Sequence, residues 1–203
     1  RGAARELESS GMTVMFVSVD GEAAAVTGFT ESPRPESADA LEELRKDGVS
    51  ALILTGDNEY AAGALAQKLG IEARSGLYPG EKVGIIEDYK SRGLVTAMVG
   101  DGINDAPAMN AADVGIALGC GADITREAAD VSLLGDDLTK VSWVLRLARR
   151  NHSVVKQNLF WAFFYNTLGI GVAAAGLMQP VLAAAAMIVS SMIVLGNSLR
   201  VGR

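Results

Sequence analysis

Apolar and polar residues alternate in blocks along the first part of the chain. The segment "MTVMFVSVDGEAAAVTGF" contains two apolar runs around Asp20-Gly21, a dipeptide that favours a two-residue hairpin turn. The two prolines of the following "ESPRPES" break regular structure and predict a linker. The pattern therefore predicts a β-hairpin that opens the chain.

From Glu36 onward, helical and strand patterns follow one another. Helical spacing covers "ESADALEELRKDG", residues 59–69, residues 81–91 and a segment after Asn104. The short apolar runs "VSALIL", "LVTAMV", "VGIAL" and "VSLL" are typical of strands buried on both faces. Strands that alternate with helices of about ten residues predict βαβ crossovers, so the expected fold class is α/β with a parallel sheet.

The last part of the chain is strongly apolar. A long helical pattern begins at Asp137 and runs into the stretch from Gln157 to Leu199, which contains no Asp, Glu, Lys, Arg or His. Gln179-Pro180 divides this stretch into two segments of about 20 residues, each long enough to cross a bilayer. Because basic residues lie outside both ends, we expect both ends on the cytoplasmic side. We predict a transmembrane helical hairpin fused to the α/β domain.

Charge and cysteine content limit the possible partners and context. The net charge of −6, without a basic stripe and interleaved aromatic residues, argues against nucleic acid as a partner. Cys120 is the single cysteine, so no disulfide can form within the chain. The sequence begins with Arg1 rather than Met and shows no signal peptide, so we expect a piece of a longer protein.

Two polar loops, "TGDN" and "GDGIND", follow predicted strands. Ligands collect at the carboxyl ends of parallel strands, so both loops are candidate binding sites, and we expect their strands to be neighbours. Asp101 and Asp105 suit a hard divalent cation such as Mg²⁺. An alternative needs no metal: Asp101 caps a turn, and Asp105 caps the helix that follows.

The first of these loops suits an anion. Thr55, Gly56 and Asp57 supply a hydroxyl and close backbone N–H groups, which can bind a phosphoryl oxygen. Lys82 follows near the start of a helix, where its ammonium either reaches the same anion or remains a solvated surface charge. A hydroxyl, a lysine and paired carboxylates are together the set that phosphoryl transfer requires.

These motifs carry a family resemblance. "TGDN", "PGEK", "MVGDGINDAPAM", "ADVGIAL" and "EAADVSLL" resemble the phosphorylation domain of P-type ATPases, which has the haloacid dehalogenase-like fold. The implied site residues are Asp101 and Asp105 as Mg²⁺ ligands, Thr55 and Lys82 at the phosphate, Gly56 and Asp57 in the loop that orders the nucleotide, and Asn104 as support.

The resemblance also implies a division of the chain. Residues 1–30 resemble the end of the nucleotide-binding domain, residues 31–145 the phosphorylation domain, and residues 146–203 the membrane hairpin. The family's nucleophile motif Asp-Lys-Thr-Gly-Thr occurs nowhere in the sequence. We therefore expect the aspartyl-phosphate to form on an upstream segment, ATP to bind mostly to the rest of the nucleotide domain, and this chain alone to be inactive.

Two short motifs in the apolar stretch point to the transported ion. "FYNTLGI" and "MIVSS" resemble motifs in the last two helices of copper(I)-transporting ATPases, which implies Tyr165, Asn166, Met187 and Ser191 as ligands of Cu⁺. The same residues are explained without an ion by an aromatic belt for Tyr165, a hydrogen bond between helices for Asn166, a hydrogen bond from Ser190 or Ser191 back to its own helix, and simple packing for Met187. A thioether suits Cu(I), and a pump for zinc or cadmium would be expected to carry intramembrane charges, which are absent here.

Three hypotheses follow from the sequence. The leading one is the C-terminal part of an ATP-driven heavy-metal pump of the plasma (inner) membrane, with Cu(I) as the expected ion. Its partners would be membrane lipid, the remainder of the pump and the transported ion. The alternatives are a membrane-anchored phosphatase of the same fold superfamily and a catalytically dead module that holds Mg²⁺ or regulates a full-length pump.

Overall fold

A computed structural model describes residues 2–30, 32–101, 103–119, 129–177 and 179–201. The chain forms two compact units, Arg1–Ser142 and Trp143–Arg203. Cys120 lies outside the described residues. The two units are described separately below.

The first unit opens with helix α1, Gly2–Ser9, which the sequence pattern did not predict. Strands β1, Thr13–Val19, and β2, Glu22–Phe29, then pair antiparallel. The turn residues Asp20 and Gly21 have φ angles of 54° and 83°. Positive φ at both positions is what the Asp-Gly dipeptide favours, and the predicted hairpin is confirmed.

Helices and strands alternate in the remainder of this unit. Most of them coincide with the predicted segments, and the α/β class is confirmed. A 3₁₀ turn, Ile103–Asp105, follows the fifth strand. The elements are α2 Ser37–Lys46, β3 Leu52–Leu54, α3 Glu59–Leu69, β4 Glu72–Arg74, α4 Pro79–Ser91, β5 Ala97–Gly100, α5 Ala106–Ala111, β6 Val114–Leu118 and β7 Val131–Leu133.

All strand pairs after the hairpin are parallel, as predicted. Strand β3 pairs with β4, whereas β5, β6 and β7 form a separate three-stranded sheet in that order. The expectation that the strand before "TGDN" neighbours the strand before "GDGIND" is therefore wrong for the described residues. Strand β4, which was not predicted, takes up the hydrogen bonds of β3.

A small apolar core nevertheless joins the two sheets. Leu54, at the end of β3, packs against a buried cluster from α4, α5, β5 and β6. Apolar burial of this kind contributes about 1.5–3 kcal/mol for each large side chain. The carboxyl ends of β3 and β5 are therefore held by one core without being strand neighbours. The cluster consists of Ile86, Met98, Ala108, Met109 and Ala117.

The second unit contains most of one long helix and a second helix. Helix α6 spans Thr139–Ala174, and α7 spans Pro180–Ser198, with Pro180 at its first position. Asn158 of α6 donates a hydrogen bond to Ser198 of α7 at 2.9 Å, and Asn197 donates to Asn158 at 2.9 Å. These contacts join the first half of α6 within this unit to the end of α7.

A helical pair is thus present where the hairpin was predicted. Within the described ranges, none of the helices combines membrane-spanning length with sufficient apolar character. The transmembrane nature of the hairpin is therefore not confirmed.

Candidate functional site

The loop after β3 is closed by its own side chains. The Thr55 hydroxyl donates to Asp57 Oδ2 at 2.6 Å, and the Asp57 backbone N–H donates to Thr55 Oγ1 at 3.1 Å. Asn58 caps α3 by accepting a hydrogen bond from the Ala61 N–H at 2.9 Å. The Thr55 hydroxyl is therefore already hydrogen-bonded to Asp57. To donate to a phosphoryl oxygen, it must first give up this hydrogen bond.

The same loop is attached to the start of α4. The Leu77 N–H donates to the Thr55 carbonyl at 3.0 Å. The Glu81 carboxylate then accepts from the Tyr78 N–H at 2.8 Å, which satisfies a backbone donor at the helix start. The first turn of α4, which carries Lys82, is therefore fixed relative to the loop that contains Thr55.

Lys82 forms an ion pair with Asp105. The Lys82 Nζ lies 2.8 Å from Asp105 Oδ1, and the two side chains are only 13% and 17% exposed. With most water removed, their attraction is less screened than that of a surface pair. The structure thus brings a predicted phosphate-binding cation into direct contact with a predicted metal ligand.

Gly100 allows Asp105 to occupy this position. A Cβ atom at Gly100 would lie 2.7 Å from the Asp105 Cβ and 2.9 Å from its Oδ2, closer than real Cβ contacts. Gly100 is the buried last residue of β5. Since no side chain is present, the 3₁₀ turn can fold back over the strand end and place the Asp105 carboxylate there.

Asp101 has a different neighbour, Arg34, from the segment predicted as a linker. The Arg34 Nη2 lies 3.6 Å from Asp101 Oδ2. Its Nη1 donates to the Asp136 carbonyl at 2.7 Å and lies 3.7 Å from Asp136 Oδ2. One guanidinium therefore joins the segments that follow β5 and β7.

The segment after β6 packs against the Asp136 carboxylate. Gly119 has φ +63°, and a Cβ atom there would overlap the Asp136 carboxylate. The Gly119 N–H also donates to the Gly135 carbonyl at 3.0 Å. Gly119 is thus required both for its backbone conformation and for the close approach of Asp136.

Few sequence signals point to Arg34 and Asp136. Asp136 follows the predicted strand "VSLL", as a ligand-binding residue of such a sheet would. Arg34 lies in the stretch whose prolines predict only a break in regular structure. Their contact joins positions 102 residues apart, which no local pattern reveals.

The donor set at the end of β5 fits Mg²⁺ in a partly hydrated mode. Asp101 is 64% exposed, whereas Asp105 is paired with Lys82. In the described part of the chain, no three His, Cys, Asp or Glu side chains surround a common metal position. Mg²⁺ is commonly held by one or two carboxylates together with water and phosphate, so two aspartates suffice. Asn104 is exposed in the turn between them.

Two further acidic residues brace the elements of this site. The hydrogen bond from the Thr96 N–H, supported by Lys90 at 3.2 Å, lowers the pKa of Asp113. The hydroxyl and N–H of Thr139 likewise lower the pKa of Asp137, which lies just before α6. The first contact joins the residues that precede β5 and β6, and the second stabilises the start of α6.

The predicted Cu⁺ ligands lie on both helices of the second unit. Tyr165 stacks on Trp161 with ring centroids 5.7 Å apart, and Asn166 is exposed on α6. Met187 and Ser191 lie one turn apart on α7 and are also exposed. Among the described residues, no hydrogen bond or ring contact joins the α6 pair to the α7 pair. The shared ligand role stays a prediction.

Known proteins resemble the chain over nearly its whole length. The sequence profile of haloacid dehalogenase-like hydrolases matches residues 1–113. A copper-exporting P-type ATPase of Mycobacterium tuberculosis (strain ATCC 25618 / H37Rv) is 46% identical over 201 residues, which cover 98% of this chain and 26% of that protein. A copper-exporting P-type ATPase of Bacillus subtilis (strain 168) is 44% identical over 196 residues, covering 96% of this chain and 24% of that protein.

A solved structure shows the same likeness. A zinc-transporting PIB-type ATPase in its E2.Pi state matches with a TM-score of 0.85 and 38% identity, covering 100% of this chain and 33% of that chain. The chain spans about a quarter of the length of the curated relatives it matches.

Proposed function

Since this chain belongs to the haloacid dehalogenase-like hydrolase family and matches heavy-metal P-type ATPases over nearly its whole length, we propose that it is part of an ATP-driven heavy-metal cation pump. The family resemblance predicted from "GDGINDAPA" is confirmed by these matches. The chain spans only a part of those proteins, so its part in transport is what we propose here.

The Lys82–Asp105 pair is the observation that carries the proposal. It places a largely buried ammonium at the carboxyl end of a parallel strand, and the residue directly after that strand is a second acidic residue, Asp101. Transfer of a phosphoryl group requires fixed positive charge near its oxygens and ligands for a metal. Lys82 and the two aspartates supply these two kinds of group.

Each residue of the site has a proposed task. Mg²⁺, when bound, would neutralise charge on the phosphoryl group. Lys82 orients the Asp105 carboxylate and supplies the second cation, while the Thr55 hydroxyl contacts a phosphoryl oxygen after release from Asp57. The remaining tasks are Asp101 and Asp105 as Mg²⁺ ligands, Gly56 and Asp57 in ordering nucleotide and phosphate, and Asn104 in supporting the turn.

The attacking aspartate lies elsewhere in the pump. The sequence contains no Asp-Lys-Thr-Gly-Thr, and the aspartates of the site are engaged as described. We propose that another segment provides the phosphorylated aspartate and that most of the ATP contacts come from the rest of the nucleotide domain. The isolated chain would then stabilise charge without turning over ATP.

The second unit is proposed to lie in the plasma (inner) membrane, with the first unit and both outer ends cytoplasmic. Its uncharged stretch from Gln157 to Leu199 and its exposed apolar side chains support this placement, since such a surface needs an apolar cover. Lipid and the other helices of the pump would provide that cover. The exposed side chains include Leu159, Phe160, Phe163, Phe164, Leu168, Ile170, Val181, Ile188, Val189, Met192 and Leu195.

Cu(I) is the proposed ion. The thioether of Met187 is a soft ligand, and Ser191 lies one turn away on the same helix. The absence of charge between Gln157 and Leu199 favours a monovalent ion over Zn²⁺, although the matched solved structure is of a zinc-transporting protein. Tyr165 and Asn166 complete the proposed ligand set.

A chimera tests this function. This chain would replace the matching part of the Bacillus subtilis copper-exporting P-type ATPase, to which it is 44% identical. We expect Cu(I)-dependent phosphoenzyme, trapped in acid after addition of labelled ATP. Asp101→Asn in the chimera should abolish the label, because an amide is a poor Mg²⁺ ligand. Asp47→Asn, a charge-matched change on the same unit, should preserve it.

The alternatives give different results. A membrane-inserted chimera with native-like proteolytic resistance but no phosphoenzyme would support the catalytically dead module. Hydrolysis of p-nitrophenyl phosphate by the isolated chain, lost in Asp101→Asn, would support the membrane-anchored phosphatase. Either result would contradict the pump.

A further inference from the structure

Arg34 lies in the segment between the opening hairpin and α2, yet it contacts the far edge of the three-stranded sheet. Its Nη1 donates to the Asp136 carbonyl at 2.7 Å, and its Nη2 lies 3.6 Å from Asp101 Oδ2. The side chain is 36% exposed, against 64% for Asp101 and 68% for Asp136. A positive charge from the linker is thus placed beside a predicted Mg²⁺ ligand.

The two contacts of Arg34 differ in strength. The hydrogen bond to the Asp136 carbonyl has a normal length, and the nearby Asp136 carboxylate adds charge at 3.7 Å. The 3.6 Å separation from Asp101 is too long for a good hydrogen bond and acts through charge alone. When the guanidinium moves, the contact with Asp101 should therefore break before the hydrogen bond to the Asp136 carbonyl.

We propose that Arg34 is an internal cation that competes with a divalent metal ion for Asp101 and so couples the linker to metal binding. The proposal rests on the proposed function only in taking Asp101 as a Mg²⁺ ligand. Two cations within a few ångströms of one carboxylate repel each other, even where water screens part of their charge. We therefore expect metal binding to shift the guanidinium away from Asp101, toward Asp136.

The coupling works in both directions. If the metal ion weakens the contact of Arg34 with Asp101, then withdrawal of Arg34 must strengthen metal binding by the same factor. Arg34 is joined by only a few residues to the end of β2 and to the start of α2. A movement of the opening hairpin that pulls this segment would therefore raise metal affinity at the end of β5.

Metal affinity tests the competition directly. Mn²⁺, an EPR-visible substitute for Mg²⁺, would be titrated into the purified 203-residue chain. Arg34→Gln should bind Mn²⁺ roughly five- to tenfold more tightly than wild type, because one nearby positive charge is removed. Arg34→Lys keeps the charge and should stay close to wild type. Arg45→Gln removes an arginine from α2 and serves as the charge-matched control.

A spin label tests the movement of the linker. Ser32 is exposed two residues before Arg34 and can be labelled as Ser32→Cys in a Cys120→Ser background. Saturating Mg²⁺ should change the spectrum of the label in the protein with Arg34, because the guanidinium shifts from Asp101 toward Asp136 and carries the linker with it. With Arg34→Gln, the label should be mobile from the start and unaffected by Mg²⁺.

The outcomes separate this proposal from the proposed function. Mn²⁺ binding that is lost in Asp101→Asn but unchanged or weakened in Arg34→Gln would overturn the competition and leave the metal site intact. Failure of the wild-type chain to bind Mn²⁺, or binding that is indifferent to Asp101→Asn, would overturn both. Tighter binding in Arg34→Gln with a Mg²⁺-insensitive wild-type label would overturn the coupling to the linker.

Discussion

The Lys82 ammonium lies 2.8 Å from Asp105 Oδ1, and both side chains are largely withdrawn from water. Loss of either charge leaves the other uncompensated in a poorly solvated position, which costs more than a surface pair would. The ion pair therefore has two tasks. It holds α4 against the end of β5, and it keeps a cation at the carboxyl edge of the sheet, the edge at which parallel sheets commonly bind ligands.

Lys82→Met should destabilise the chain by about 3 kcal/mol, because the Asp105 carboxylate loses its partner while the apolar stem is retained. Chemical denaturation followed by circular dichroism measures the change. Lys46→Met is the matched control, since the Lys46–Glu42 pair is exposed and should contribute nothing measurable. The double variant Lys82→Met/Asp105→Asn should cost less than the sum of its single changes. Additive costs would mean that the two residues act independently.

Gly100→Ala should destabilise the fold by about 1–3 kcal/mol, because the new methyl group meets the Asp105 side chain. Mn²⁺ affinity should fall as well, since Asp105 can no longer stay at the strand end. Gly84→Ala is the control, because nothing lies within 4 Å of a Cβ atom there and a helix gains from alanine. Unchanged stability and Mn²⁺ affinity in Gly100→Ala would show that the turn can rearrange freely.

Asp113 should make stability sensitive to acid. Its folded-state pKa is lowered, so its contribution is fully present above the pKa of the unfolded chain and is lost as pH falls through the folded-state pKa. Asp113→Asn should therefore lower stability at neutral pH and reduce the loss of stability on acidification below about pH 4. Denaturation midpoints measured across the acid range test this. Parallel curves for the two proteins would show that Asp113 does not contribute.

Met187→Leu decides between ligation and packing. Leu resembles Met in volume and apolarity, so packing alone predicts a change below about 1.5 kcal/mol in stability. Ligation predicts a loss of Cu(I) binding and of Cu(I)-stimulated ATPase in the complete pump or the chimera. Ser191→Ala should have a smaller effect on the same step, and Val189→Ala should be nearly silent. If Met187→Leu binds Cu(I) with the wild-type stoichiometry, Met187 is not a Cu(I) ligand and only packs in the helix pair.

The sequence pattern succeeded where local chemistry decides the structure. The strand at Val114–Leu118 and the helix at Glu59–Leu69 have the predicted bounds, because an uninterrupted apolar run and a helical period each specify one element. Asp20 and Gly21 likewise adopt the backbone that their turn requires. In each case the information lies within a few neighbouring residues.

The failures concern contacts between distant segments. Strand β4 was missed because Glu72 and Arg74 interrupt the apolar pattern, although parallel pairing with β3 holds it in place. The contact between Arg34 and Asp136 is not predicted, because the two residues meet only after the sheet has formed. The motifs predict Lys82 and Asp105 as site residues, but no local pattern shows that the two side chains contact each other.

The hydrogen bonds of Asn158 with Asn197 and Ser198 join α6 to the end of α7 that lies farthest along the chain from the connection between the two helices. At the other end, residues 175–179 link Ala174 of α6 directly to Pro180 of α7. The pair is therefore tied twice, once by the chain itself and once by amide and hydroxyl groups. Met187 lies between these two ties, so a substitution there should change local packing without altering the register of the two helices.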